Sequence, residues 1–456
     1  MTQAAAAIFY QAIIMRASPS MPTGAARPLG RDDYKTLSLS ALGGTLEFYD
    51  FVVFVFFSTV LGHLFFPPSL PEWMVQLQTL GIFAAGYLAR PLGGIIIAHY
   101  GDKLGRKNMF TLSIFLMAAP TLIIGLLPTY AAIGIAAPLL LLVMRVLQGA
   151  AIGGEMPGAW VFVAEHVPPR HFGLGVGVLT SGICGGILLG SLMGIAINHF
   201  FTPEEINGWA WRIPFILGGV FGLVSVYLRR FLAETPVFRE LAERRAVAQE
   251  LPVKTVLREH RTSCVITAAM TWSLSTAVVV LILMTPIILQ KSYHFAPAVA
   301  LQANCLATLM LVIGCVVFGW LSDRLGMRTT LLIAWGGLAL SSLYFFATVA
   351  GLDGTQLTVR YGLVGFFVGA IATMPIVGVQ AFPAAVRFSG LSFSYNMAYA
   401  VFGGVTPVLT QLWMQRSPMA PAYYVVLVSL VAMGVALLPQ LRRGYMPAAA
   451  SVVPAH

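Results

Sequence analysis

Charge is what this sequence has least of. Of its 456 residues only 10% are Asp, Glu, Lys or Arg, against 58% that are apolar. Soluble proteins carry about 25% charged residues. So few charges cannot cover the surface of a soluble chain of this size, which excludes a soluble enzyme and a disordered protein. Cysteine is scarce too. Cys184, Cys264, Cys305 and Cys315 lie in or at the edge of apolar runs with no Cys-x-x-Cys spacing, so buried thiols are expected, not disulfides or a metal site. No His-Glu-x-x-His and no Gly-x-Ser-x-Gly occurs, which leaves a membrane-embedded hydrolase without its usual signatures.

What is abundant is long, charge-free apolar sequence, such as 110–127 and 264–289. A β-barrel would alternate apolar and polar residues in short strands. Spanning helices need about 20 apolar residues each, and twelve fit: 37–62, 74–100, 109–128, 133–163, 173–199, 210–231, 263–289, 298–321, 329–350, 358–382, 389–413 and 421–440. The expected organisation is an all-α membrane protein. A mobile cytoplasmic tail (1–36) leads to a six-helix bundle (37–231), a cytoplasmic linker (232–262), a second six-helix bundle (263–440) and a cytoplasmic tail (441–456). Residues 4–15 are apolar but short and follow no basic residue, a poor fit to a cleaved signal peptide; Met15 and Met21 are alternative starts. With both termini inside, 21 of the 27 Lys and Arg fall on the inner side and only Lys291, Arg360 and Arg416 on the outer. That asymmetry sets orientation, so the net charge of +10 needs no nucleic-acid partner.

The chain is internally duplicated. Gly101-Asp102-Lys103-Leu104-Gly105-Arg106-Lys107 matches Ser322-Asp323-Arg324-Leu325-Gly326-Met327-Arg328 at an offset of 221 residues; Arg170-His171-Phe172-Gly173-Leu174 matches Arg387-Phe388-Ser389-Gly390-Leu391 at 217. Parallel repeats of this kind place a substrate site between the halves, near mid-membrane. In the short loop Gly105 permits a sharp turn. Asp102 sits where it can pair with Arg106 or a neighbouring helix N-terminus. Asp102, Gly105, Arg106, Asp323 and Arg324 therefore read as a cytoplasmic gate, with topology anchoring as the plainer alternative.

The loop at 101–107 resembles the signature of the major facilitator superfamily, and Arg145-Val146-Leu147-Gln148-Gly149 resembles its Arg-x-x-Gln-Gly motif. Leu46-Glu47-Phe48-Tyr49-Asp50-Phe51, Ala89-Arg90-Pro91-Leu92-Gly93-Gly94, Trp211-Arg212-Ile213-Pro214-Phe215, Glu234-Thr235-Pro236-Val237-Phe238 and 387–407 are similar to blocks of the metabolite:proton symporter branch. The resemblance covers about 36–440 and implies twelve helices in two pseudo-symmetric halves. It also implies a bacterial inner membrane and proton-coupled uptake of a small organic anion or zwitterion by alternating access. Carriers of proline and betaine, α-ketoglutarate, citrate and shikimate belong to that branch. Met156-Pro157-Gly158-Ala159-Trp160 departs from it and is expected to reshape the pocket.

Charged side chains inside spans are costly and mark function by default. Glu47 and Asp50 are three apart on one helical face; with Glu155 they are the candidates for proton coupling, the alternative being, for the pair, ion pairs with Arg90 or Arg145 that pack helices and, for Glu155, a cap on the irregular backbone before Pro157. Arg90, Arg145, Gln148, Asn396 and Tyr399 are the candidates for substrate contact, with Gln380 and Tyr395 as further polar positions; helix-to-helix hydrogen bonds are the alternative for the neutral ones. Arg212 reads as an outer-interface anchor, Glu165 as a cytoplasmic-end charge near Arg170. Expected partners are a small-molecule substrate, protons and lipid, with no cofactor, metal or nucleic acid, in a monomer. A proton-coupled exporter is the alternative; Gly173–Gly194 is glycine-rich but lacks the proline that exporters of the superfamily tend to carry there.

Overall fold

The computed structural model describes residues 29–229, 234–235, 243 and 252–438, and among these every regular element is helical. The expected tails at 1–28 and 441–456 and most of the linker lie outside the described residues, as does the side chain of Glu47. We number the long helices α1 (Arg31–Phe56), α2 (Glu72–Leu104), α3 (Arg106–Leu126), α4 (Ala136–His166), α5 (Phe172–Phe200), α6 (Arg212–Arg229), α7 (Arg261–Val278), α8 (Pro297–Leu325), α9 (Met327–Thr348), α10 (Gly354–Val368), α11 (Arg387–Met414) and α12 (Ala420–Val435). Ten helical stretches among the described residues are long and apolar enough to cross a membrane; α12 is a shorter apolar helix, and α11, 28 residues long, completes the twelve.

The boundaries differ from the expectation where local chemistry intervenes. Residues 31–36 of the expected tail are already helical, the Gly30 N–H donating to Asp33 Oδ2 at 2.8 Å. The first span is broken at Phe57 and resumes as Ser58–Phe65. α7 continues through a π turn (Val279–Met284) into Thr285–Ser292. There Pro286 lacks the N–H that would close a helical turn on Ile282, and the Thr285 hydroxyl reaches the Val280 carbonyl at 2.8 Å. α10 tightens to a 3-10 turn (Gly369–Ala372) just before Pro375 and runs on as Thr373–Ala381.

Helix pairing carries the duplication into three dimensions. Within the first half α1 packs on α5, α2 on α4 and α3 on α6; within the second α7 packs on α11, α8 on α10 and α9 on α12. The halves meet along α2–α11 and α5–α8, two seams that a six-helix shift also interconverts. Large apolar side chains such as Leu88, Leu92, Ile96 and Leu340 face outward, where lipid solvates them. The buried charges are unevenly shared: Asp33, Asp50, Arg90, Asp102, Arg106, Arg145, Glu155, Glu165 and Arg229 belong to the first half, and Arg387 alone, among the described residues, to the second.

Candidate transport site

The first cluster is built by α1, α3 and α4. Asp50 is buried, and its Oδ2 accepts from Gln148 Nε2 at 2.8 Å and lies 3.7 Å from Arg145 Nη1. Arg145 Nη1 donates to Gln148 Oε1 at 2.9 Å, and Gln148 Nε2 also reaches Thr121 Oγ1 at 2.8 Å. Arg145 and Gln148 are three apart on α4, so both project to the same face. The Arg145 guanidinium lies over the Phe54 ring, 4.0 Å from its centroid. The other Asp50 oxygen, Oδ1, has no hydrogen-bond partner. A buried carboxylate with one oxygen in an arginine–glutamine clamp and one left open is a group that can exchange a proton for a rearranged ion pair. Gln148 thus contacts both ionic partners, a bridging place that sequence reading had not distinguished from substrate contact.

The second cluster lies on the α2–α11 seam. Arg90 is buried, with its Cζ 4.7 Å from the ring centroid of Tyr399, 5.5 Å from Tyr87 and 5.8 Å from Tyr395. Tyr87 and Tyr399 stack at 6.2 Å with planes 12° apart. Trp160 stands edge-on to Tyr395 at 5.2 Å, and the Tyr395 hydroxyl donates to Met156 Sδ at 3.0 Å. Met156 and Trp160, in the stretch that departs from the branch pattern, thus both contact Tyr395 of α11 at this seam. Pro157 has a different task. It withholds the N–H that would satisfy the Gly153 carbonyl, and that carbonyl is taken up across the seam by Asn396 Nδ2 at 2.7 Å and Ser392 Oγ at 3.1 Å. The Asn396 amide also donates to the Ser392 carbonyl at 2.8 Å. The Asn396 amide nitrogen thus joins α11 to α4, while its Oδ1 has no hydrogen-bond partner. α2 approaches the same point, since a Cβ on Gly94 would come within 2.6 Å of Asn396 Nδ2 and 2.8 Å of the Gly153 carbonyl.

Glu155 is placed apart from both clusters. It is fully buried and ion-paired with Arg229 of α6 at 2.8 Å, and Ser113 of α3 donates to its other oxygen. Arg229 also donates to the Phe110 carbonyl at 2.8 Å and lies 3.6 Å from the Phe110 ring centroid. Seven residues separate Glu155 from Gln148, about 10 Å along the helix. Glu155 therefore staples α3, α4 and α6, with neither Asp50 nor the irregular backbone at Pro157 as its partner.

The end of the molecule bearing 101–107 is closed by charges. Gly105 has φ +110°, the conformation that lets α2 end and α3 begin without a spacer. Asp102 Oδ2 accepts from the Ser389 N–H at 2.9 Å, at the start of α11, and Oδ1 lies 3.6 Å from Arg106. Asp323 accepts from the Gly173 and Leu174 N–H groups at 2.7 and 2.8 Å, at the start of α5. Each repeat's aspartate thus binds the other repeat's second motif, the helix N-terminus supplying unpaired donors and a favourable dipole. Arg106 pairs with Glu165 and donates to the Ala384 carbonyl at 2.5 Å; Glu165 also takes Arg387 at 2.8 Å. Glu165 is thereby a partner of Arg106 and Arg387, not of the exposed Arg170. Arg324 is exposed, 5.6 Å over the Trp320 ring, outside this contact. Arg212 donates to the Gly125 and Leu127 carbonyls, closing the end of α3.

The profile of the Major Facilitator Superfamily matches residues 52–407. The chain belongs to the Major Facilitator Superfamily. It is a multi-pass membrane transporter of that superfamily and not an enzyme. It is 34% identical to the "Putative proline/betaine transporter" of Staphylococcus aureus (strain COL), over 87% of this chain and 86% of that one. It is 31% identical to the proline/betaine transporter of Salmonella typhimurium, over 92% and 86%. In fold it is similar to the proton:xylose symporter XylE bound to 6-bromo-6-deoxy-D-glucose, with a TM-score of 0.71 at 16% identity over 89% of this chain and 94% of that one. Within this superfamily member, sequence reading missed Arg229, Ser113, Thr121, Tyr87 and the Glu165–Arg387 pair. Arg229 sits at the end of its span among other basic residues of the linker edge, so nothing local distinguished a buried arginine from a topology anchor.

Proposed function

We propose that this transporter takes up a small zwitterion or organic anion together with protons across a bacterial inner membrane, by alternating access, with both termini and the linker cytoplasmic. The observation that carries the reading is the Asp50–Gln148–Arg145 clamp, an incompletely satisfied carboxylate inside the first half. When Asp50 is charged it neutralises Arg145; when it is protonated the Arg145 charge is released and favours a substrate anion in the same half. Proton and substrate occupancy are thus linked through one cation, the reciprocity that symport requires. Glu47, one turn from Asp50 on α1, is a second proton-carrying candidate on sequence spacing. The names of the relatives support proline or betaine-like zwitterions as the solute class. The two aspartate latches close the cytoplasmic end in the outward-facing state and part when the halves rock. The 21-to-3 split of basic residues supports the orientation.

Reconstitution into proteoliposomes tests this. Imposing an inward proton gradient should drive accumulation of glycine betaine or proline, and collapsing it should stop accumulation while counterflow continues. Uptake indifferent to the gradient defeats the coupling. A single cysteine at Glu204 should react with an impermeant reagent from outside and one at Arg239 should not; the opposite labelling reverses the topology.

A further inference from the structure

The ring contacts of Arg90 point to more than helix packing. Arg90 lies in the middle third of α2, and Tyr395 and Tyr399 lie two and three turns into α11 from its closed end. The cluster is therefore at mid-membrane and takes residues from both halves. A cation held by three aromatic faces on a seam that must part is unusual glue: aromatic cages are the means by which proteins hold quaternary ammonium groups. The resident cation is itself weakly hydrated, so the site already selects for charge that is cheap to strip of water.

Resting on the uptake reading above, we propose that Tyr87, Tyr395 and Tyr399 form the substrate's cation subsite, occupied between transport cycles by the Arg90 guanidinium as a placeholder. The ligand is a carboxylate joined through a short spacer to a fully substituted ammonium. On binding, the ammonium displaces the guanidinium from the rings and the displaced guanidinium pairs with the ligand's own carboxylate. The exchange leaves no bare aromatic face and no unpaired charge at any point, and it adds a planar guanidinium–carboxylate contact that only the ligand can supply. The spacer is short because the guanidinium stays tethered to α2 within a side chain's length of the rings it leaves.

Equilibrium binding to the full-length protein in lipid nanodiscs, with no gradient, tests the exchange with three probes: glycine betaine, choline, and 3,3-dimethylbutanoate, which has betaine's shape and carboxylate without the positive charge. The unsubstituted protein should bind betaine about tenfold more tightly than 3,3-dimethylbutanoate, in the range of a desolvated cation–π contact. Arg90→Gln should weaken betaine at least as much and bind choline more tightly, because the competing cation is gone; a role in packing alone would not improve any ligand. Choline binding unchanged or weakened in Arg90→Gln, or betaine and 3,3-dimethylbutanoate bound equally, overturns the proposal. Should Arg90→Gln fail to fold, Tyr399→Phe against Tyr399→Leu decides: phenylalanine keeps betaine binding and leucine loses it, while equal binding by the two rejects the cage. Because no gradient is used, a failed cage leaves the proton-coupling result standing, and failed coupling leaves the binding result standing.

Discussion

The two halves use one helix pairing and bury different chemistry. Between α3 and α4 the first half places Ser113 and Glu155 with Arg229 behind them. Between α9 and α10 the second half places Trp335, whose Nε1 donates to Thr373 Oγ1 at 3.0 Å. Trp335 and Thr373 each lie one residue from the positions that the repeat offsets assign to Ser113 and Glu155. Where the first half has the Asp50 clamp, the second has neutral networks: Tyr361 on Asn304 Oδ1 at 2.7 Å and on the Leu281 carbonyl, and Trp272, Tyr424 and Thr406 joined at 3.0 and 3.1 Å. Among the described residues, the corresponding polar contact of this helix pair in the second copy is neutral. The buried charges of the other copy are not a requirement of the fold, and a buried ion pair is weak evidence for stability as such.

The largest expected break is functional. Asp50→Asn should abolish uphill accumulation and leave counterflow intact in proteoliposomes, whereas Thr406→Val should leave accumulation in place; loss of accumulation in both would erase the division of labour. Next in size is stability. Glu155→Gln strands a buried arginine and should cost about 3–5 kcal/mol, against about 1 kcal/mol for Thr373→Val, read from unfolding in detergent. Equal costs would mean that the two α3–α4-type contacts are interchangeable. The latches should give a smaller effect. Asp102→Asn removes a charge-assisted bond worth about 1.5–3 kcal/mol and should shift the closed population roughly tenfold or more, measured by spin-label distances between the ends of α2 and α11. Asp323→Asn, at a less buried site, should shift it less. Arg324→Gln should move neither population nor stability by more than about 0.5 kcal/mol.

Much of the architecture was readable before any coordinates. Span positions follow from charge-free runs, and the duplication from two short matches, because lipid leaves a helix few alternatives. Element ends were less legible: α1 begins earlier because Asp33 caps it, and the break at Phe57 leaves no mark in hydropathy. The site was legible as residue types and not as partners. Asp50 and Arg145 were singled out by the cost of burying charge and by the motifs they stand in. Their ion pair is bridged by Gln148, which sequence spacing does not show, and the separation of Glu155 depends on Arg229, 74 residues away. Pro157 signals a freed carbonyl but cannot say that Asn396, on the other half, will take it.

The crossed latches also impose an order in time. As the chain emerges, Asp102 must wait for Ser389, 287 residues later, an interval of about 15 s to a minute at ordinary rates of synthesis. Asp323 waits for nothing, since Gly173 and Leu174 already stand in the membrane when it arrives. The α5–α8 seam can therefore close on a growing polypeptide, and the α2–α11 seam, with Arg90 at its middle, closes last. Until α11 inserts, the first bundle sits in the bilayer with an uncovered aspartate and an unshielded arginine, which makes the late arrival of α11 the step at which an assembly factor or a stalled ribosome would be felt.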